Sequence, residues 1–492
     1  MDRAPKQWIA LALASLWIHA SCVVVHAQTG GLTAGFEAQL KELQRSLDEA
    51  ELANATVRTT LNEVRDTFYD DNWLDDERAA SVMSLVQDVL ADSDHRVNLF
   101  GDGTMMGWSD GFHLSSADGQ FRLKIGGLIQ SQVIARWNGV DASGGSVNYD
   151  QWRYGAGMSR TELSFSGHAF GRGLKYHLEL GWGRYDPYNI TNQGFLMSPR
   201  LWDAWIAFKL NSEVEIKIGQ FSLPFSKEGL IKSPYQLAVF PTLIEYFMGL
   251  QQSQGIEVDW ETDNRRFAIA LTNGSPALFQ VALWGNTDPT PPWTALGSDT
   301  LYSVTMRHEW KLLGDWEQFD QFTSPPGSER GIVIGLAGHR QNTESNTPIP
   351  VGGWPDGQLW GVNADIMMQF DGASLFGAVI YERLRDFSPI LPRVNLLAFV
   401  AQASTYITNQ TELFARWEGG GPDRELVGGD HLQILTLGFN HYIDGQDVKV
   451  TADLGFSFGE ISAALSNPQA GWLTDSRRRN QMLLRTQLQL MF

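Results

Sequence analysis

The residues able to do chemistry are few and scattered. His168 and His177 fall on neighbouring segments of alternating pattern, where both would project from one polar face. No nucleophile elbow, no HExxH helix and no compact grouping of histidine with serine and carboxylate accompanies them. They read as polar wall residues, and the chain is expected to hold no catalytic site and no cofactor. Asp92, Asp94 and Asp102 offer oxygen ligands for Ca²⁺, but their spacing does not fit an EF-hand loop. A solvated acidic surface accounts for them, so no metal ligands are assigned. Cys22 is the one cysteine. It lies in a segment expected to be removed, which excludes a disulfide framework, cysteine metal sites and thiol chemistry. What remains is a set of charges that act by position. Arg122, Lys124, Arg136, Arg160, Lys175, Lys217, Arg307, Arg416 and Arg485 share polar faces with Glu162, Glu179, Asp203, Glu215, Glu257, Asp365, Glu412 and Asp453. Such charges guide a solute only if the elements bearing them enclose water.

Those elements are strands. From Phe121 to Trp137 the chain alternates, with Phe121, Leu123, Ile125, Ile129, Val133 and Trp137 on one face and Arg122, Lys124, Gln130, Gln132 and Arg136 on the other. Strands of globular proteins usually run about 3–10 residues, whereas a tilted membrane strand needs about 9–11 within the bilayer plus its extensions. The pattern recurs in roughly 15 to 18 segments, and a bacterial single-chain barrel has an even number. Trp137, Trp182, Tyr185, Trp310, Tyr381, Trp417 and Tyr442 fall near segment ends, as interfacial aromatic belts require. The final segment sets Leu484, Leu488, Leu490 and Phe492 against Arg485, Gln487 and Gln489. A terminal strand of this kind must pair with the first to remove the sheet edges, and its closing aromatic residue resembles the signal read by the barrel-assembly machinery. The fold expected is an all-β transmembrane barrel in the bacterial outer membrane, with lipid as its outer partner. Arg485 is expected to bear on ion preference without affecting folding.

The N-terminal third differs. Arg3 and Lys6 precede an apolar run from Trp8 to Val25, and Val25-His26-Ala27 supplies a cleavage site, so residues 1–27 read as a signal peptide. No later apolar run is long enough for a membrane helix. Residues 28–120 carry 18 acidic against 6 basic side chains, a large share of the chain's net charge of −19. That balance argues against a nucleic-acid partner. Phe36, Leu40, Leu43, Leu47, Ala50, Val57, Leu61, Val64 and Phe68 form a heptad seam, with Asn54 at an a position where a buried amide fixes register and oligomeric state. A single amphipathic helix is the alternative. A second helical stretch spans roughly residues 75–90, and glycines around Gly101–Gly103 read as a linker. The division expected is signal peptide 1–27, helical extension with linker 28–110, and barrel 111–492.

FRLKIGGLIQ at 121–130, SRTELSFSGHAF at 159–170, LWDAWIAFKL through VEIKIGQF to SLPFSK at 201–227, GIEVD at 255–259 and RFAIALTNG at 266–274 follow one another in an order that resembles the phosphate-selective porin O and P family. The resemblance implies a 16-stranded barrel, a homotrimer and passive diffusion of small hydrophilic solutes or ions, phosphate or other anions among them. It also implies a loop folded into the lumen, placed here between Phe221 and Gln254, where Pro224, Pro234 and Pro241 interrupt strand structure. Lys227 and Lys232 are its cationic candidates, opposed by Glu228 and Glu245. A phosphate pore needs a dense cationic track, and the wall charges here are of mixed sign. A structural role, tethering the envelope to the cell wall through the coiled coil, is the alternative function.

Overall fold

The computed structural model describes residues 97–100, 104–108, 111–137, 140–141, 152–182, 200–275, 298–345, 357–386, 393–423, 431–459, 461, 470–472 and 478–492. The signal peptide, the heptad seam with Asn54, and the second helical stretch lie outside them. Sixteen antiparallel strands form a closed barrel. They begin with β4 (Arg122–Trp137), β6 (Trp152–His168), β7 (Leu174–Trp182), β8 (Arg200–Lys209), β9 (Val214–Ser222), β10 (Gln252–Glu261), β11 (Arg265–Thr272) and β12 (Ser298–Leu313). They continue with β13 (Gly331–Ser345), β14 (Gly357–Phe370), β15 (Ala373–Asp386), β16 (Val394–Thr408), β17 (Thr411–Pro422), β18 (Leu432–Asp444), β19 (Val448–Ser457) and β21 (Met482–Met491). Each pairs with its sequence neighbour, and β21 pairs with β4 to close the ring. The two-residue strands β5 (Val140–Asp141) and β20 (Arg478–Arg479) join two of the longer connections.

Alternation sets the faces. Val133, Leu271, Leu397 and Leu488 point outward and are each more than half exposed. So much exposed apolar surface is stable against lipid and not against water. In β21, Leu484, Leu488 and Leu490 face out while Arg485, Gln487 and Gln489 are buried inside, as the period-two pattern requires. One of the belt aromatics points inward instead, and another lies at the edge of the interior. Tyr442 is buried in the lumen on the Glu412 carboxylate, and Trp182 borders the internal cavity. Connections at the end holding Phe492 are short, two to five residues, except for the segment 314–330. Those at the other end run from seven to 29 residues. Short periplasmic turns and longer outer loops are the outer-membrane arrangement.

Three short strands precede β4 in the sequence. β1 (Val97–Phe100), β2 (Thr104–Trp108) and β3 (Phe112–Ser116) form a meander, and β3 pairs with β4 from Ile125 to Arg122. The compact unit containing the barrel starts at Asp94. β21 is shorter than β4, so it leaves the lower end of β4 with unpaired backbone groups, and β3 supplies them with partners. Phe492 ends the seam. Its backbone N–H donates to Gly127 and its carbonyl accepts from Gly127, at 2.9 and 2.7 Å. Its ring lies where a Cβ on residue 127 would stand. Gly127→Val, like removal of Phe492, should therefore lower the yield of folded barrel. Heat-modifiable mobility on SDS gels measures this, and unchanged mobility would show that the ring's seat is dispensable.

Candidate functional site

Pro224 ends the run of β9, and the chain turns into the barrel from Leu223 to Gln251. Two short helices form, α1 (Lys227–Leu230) and α2 (Leu243–Met248). Ser226 caps α1 by accepting from the Gly229 N–H, and Thr242 caps α2 by accepting from the Glu245 N–H. Glu228 takes both the N–H and the hydroxyl of Thr242, at 2.8 and 2.6 Å, tying the helices together. The loop still carries backbone groups with no partner of its own, which cannot be buried unpaired.

The wall of β16–β21 supplies the partners. Lys449 donates to the carbonyls of Pro234 (2.5 Å) and Gln236 (3.1 Å). Asn440 donates to Leu237, and Arg416 to Phe240. Asp453 accepts from the Val239 N–H at 2.9 Å. Glu418 accepts from Leu243 (2.6 Å) and Ile244 (3.3 Å), the free amides at the positive end of α2. On the other flank Arg307 donates to the Phe225 carbonyl. Between these polar contacts the inward faces are apolar. Phe376, Ile380, Leu396, Val400 and Ile434 share one core with Phe240, Leu243, Ile244 and Phe247. From the short-turn end, residues 314–330 also enter the barrel. The Phe322 N–H reaches the Tyr235 carbonyl at 3.3 Å, and the Phe322 ring packs edge-on to Phe376.

The loop thus fills one side of the lumen, leaving a cavity of about 680 Å³ along β6–β12. Acidic side chains in its lining outnumber basic ones by twelve to eight. Among its cations, Lys175 pairs with Glu215 at 2.5 Å, Lys217 with Glu257 and Asp259, Arg266 with Glu261, and Lys227 with Glu309. Lys232 reaches from the loop to Glu179 at 3.3 Å. Arg160 also borders the cavity.

Of the remaining sequence candidates, Arg307 also borders the cavity and the others stand elsewhere. Arg307 makes a bidentate pair with Asp365, at 2.7 and 2.8 Å, and contacts Glu309. Arg416 lies beneath the loop between Glu228 and Glu418. Arg485 is bidentate to Asp453 at 2.7 and 2.9 Å and donates to the Ala470 carbonyl. All three are almost wholly buried. Arg122 lies at the periplasmic end of β4 opposite His168, and Lys124 lies beside Gly111. Arg136 donates to the Gly471 carbonyl near the outer end. Lys449, Asn440 and Glu418 hold the loop and were not singled out in the sequence. Period-two alternation with Val448 and Val450 puts Lys449 on a polar face, but nothing local marks a wall position that a distant segment will cover.

Asp453 holds both Arg485 and the loop, so the two are linked. Arg485→Ala leaves a buried carboxylate without its cation, a loss of about 3–5 kcal/mol. Expected are a lower unfolding midpoint by intrinsic fluorescence and a larger, noisier single-channel conductance as the loop loosens. A variant of native stability that changed ion preference alone would contradict this placement.

Residues 137–277 match the family model described as phosphate-selective porin O and P, a stretch that runs from β4 through the whole inward loop to β11. No curated protein matches the chain. Among solved structures it is similar to the outer-membrane channel DcaP of Acinetobacter baumannii, at 11% identity over 78% of this chain and 99% of that one, TM-score 0.49. It is also similar to OmpT of Vibrio cholerae, at 10% identity over 76% and 98%, TM-score 0.48. OmpF of Salmonella typhi gives 11% identity over 76% and 98%, TM-score 0.47. The chain is thus a sixteen-stranded barrel with a lipid-facing exterior, and the segment that spans its inward loop matches the phosphate-selective porin O and P model.

Proposed function

We propose that the chain forms a water-filled passage for small hydrophilic solutes that favours cations over anions. The observation that carries this is the acidic surplus of the cavity lining. Its lysines and arginines are largely neutralised in pairs, while Glu162 and Asp203 stand beside the passage with no cation paired to them among the described ion pairs. A charged constriction raises the local concentration of its counter-ion. Selection of phosphate would need an unpaired cationic track, and Arg307, Arg416 and Arg485 serve other partners here. In planar bilayers under a KCl gradient, the reversal potential should take the sign of K⁺ preference. Asp203→Asn with Glu162→Gln should move it towards zero. A reversal potential of Cl⁻ sign overturns the reading.

The heptad seam at 36–68 carries a second, compatible reading: a homotrimeric coiled coil that tethers the barrel to the cell wall. Deleting residues 28–93 should leave heat-modifiable barrel while weakening its retention with sedimented cell wall. Unchanged retention removes the tether.

A further inference from the structure

We propose that His177, Glu179 and Asp203 form a binding site for a divalent transition-metal cation of the Zn²⁺ class on the wall of the passage. The backbone builds it. His177 and Glu179 are two apart on β7 and share its inner face, and Glu179 lies directly opposite Asp203 of β8. The pairing slips by one residue just after this point, a β-bulge at Trp202. Gly181 accepts the Trp202 indole where any side chain would collide with it. The donor atoms of the three residues lie within 4.8 Å of one another. Zinc with ligands at about 2.0–2.2 Å spaces tetrahedral donors about 3.4 Å apart, so side-chain rotation of about an ångström completes the site.

Two further observations point to a ligand. One carboxylate oxygen of Asp203 is enclosed yet accepts no hydrogen bond from the protein. The His177 ring is already fixed, stacked on Trp205 at 5.5 Å with its Nε2 3.2 Å from Glu179. One imidazole with two carboxylates suits Zn²⁺, Ni²⁺ or Cu²⁺ better than Mg²⁺ or Ca²⁺, which prefer oxygen alone. Lys232 now supplies the positive charge, and its ammonium sits on a side chain more than half exposed. A divalent cation entering the site displaces it towards the passage.

The inference rests on the lumen being an open passage, and the test separates the two. Zn²⁺ added to the full-length protein in planar bilayers should reduce conductance. His177→Ala and Asp203→Asn should each raise the half-blocking concentration by at least the roughly 10- to 100-fold that even an outer-sphere partner contributes. Lys232→Gln should lower it. Co²⁺ binding to the detergent-solubilised wild type should give an intense visible band of tetrahedral nitrogen and oxygen ligation, a readout that needs neither conduction nor a folded variant. Zn²⁺ block that is equal in all variants, or matched by Mg²⁺, together with no Co²⁺ band overturns the site. A closed channel with a Co²⁺ band overturns the passage and leaves the site standing.

Discussion

Carrying a strandless segment into a membrane barrel is possible only if its backbone finds partners there. Residues 223–251 meet that condition through the wall, where Lys449, Asn440, Arg416, Asp453 and Glu418 address successive groups from Pro234 to Ile244. Water satisfies such groups in an open lumen, but beneath a packed loop each must be paired by protein. These polar residues of β17–β19 are therefore fixed by what covers them. Asp453 shows the dependence, since Arg485 and the loop amide of Val239 both lie on its carboxylate. Charges so buried stabilise only when every partner is present.

The same constraint divides the barrel. On the covered side, inward positions between the polar contacts are mostly apolar, and much of β15 and β16 is greasy on both faces. Phe376, Ile380, Leu396 and Val400 point in, while Leu375, Val379 and Leu397 point out. Strands buried on both faces lose their alternation for this reason. On the open side the inner faces of β7–β12 keep their charges in contact with the passage, and acids prevail. Function follows from this asymmetry. The cations of the covered wall are consumed in holding structure, and the solute meets what remains.

The segment 314–330 extends the arrangement from the opposite end. Gln369 donates to the carbonyls of Gln318 and Gln321, and Thr323 donates to Glu412. These contacts seat Phe322 against the tip of the loop. Loop and turn thus brace each other across the lumen, so the width of the passage depends on both.

Period-two alternation determined the strands, the facing of β21 and the pairing of the last strand with the first, because a side chain's face follows from its parity along an extended backbone. Pro224, Pro234 and Pro241 marked the segment that leaves the wall, since proline cannot donate to a ladder. Parity could place Arg307, Arg416 and Arg485 inside, but inside a barrel means either water or protein. Only the tertiary structure decided which, by laying one loop over one wall. The bulge at Trp202 was equally hidden, as one extra residue turns a side chain that strict alternation assigns to lipid. The meeting of His177 and Glu179 with Asp203 depends on that register. It is a property of paired strands, which no single stretch of sequence contains.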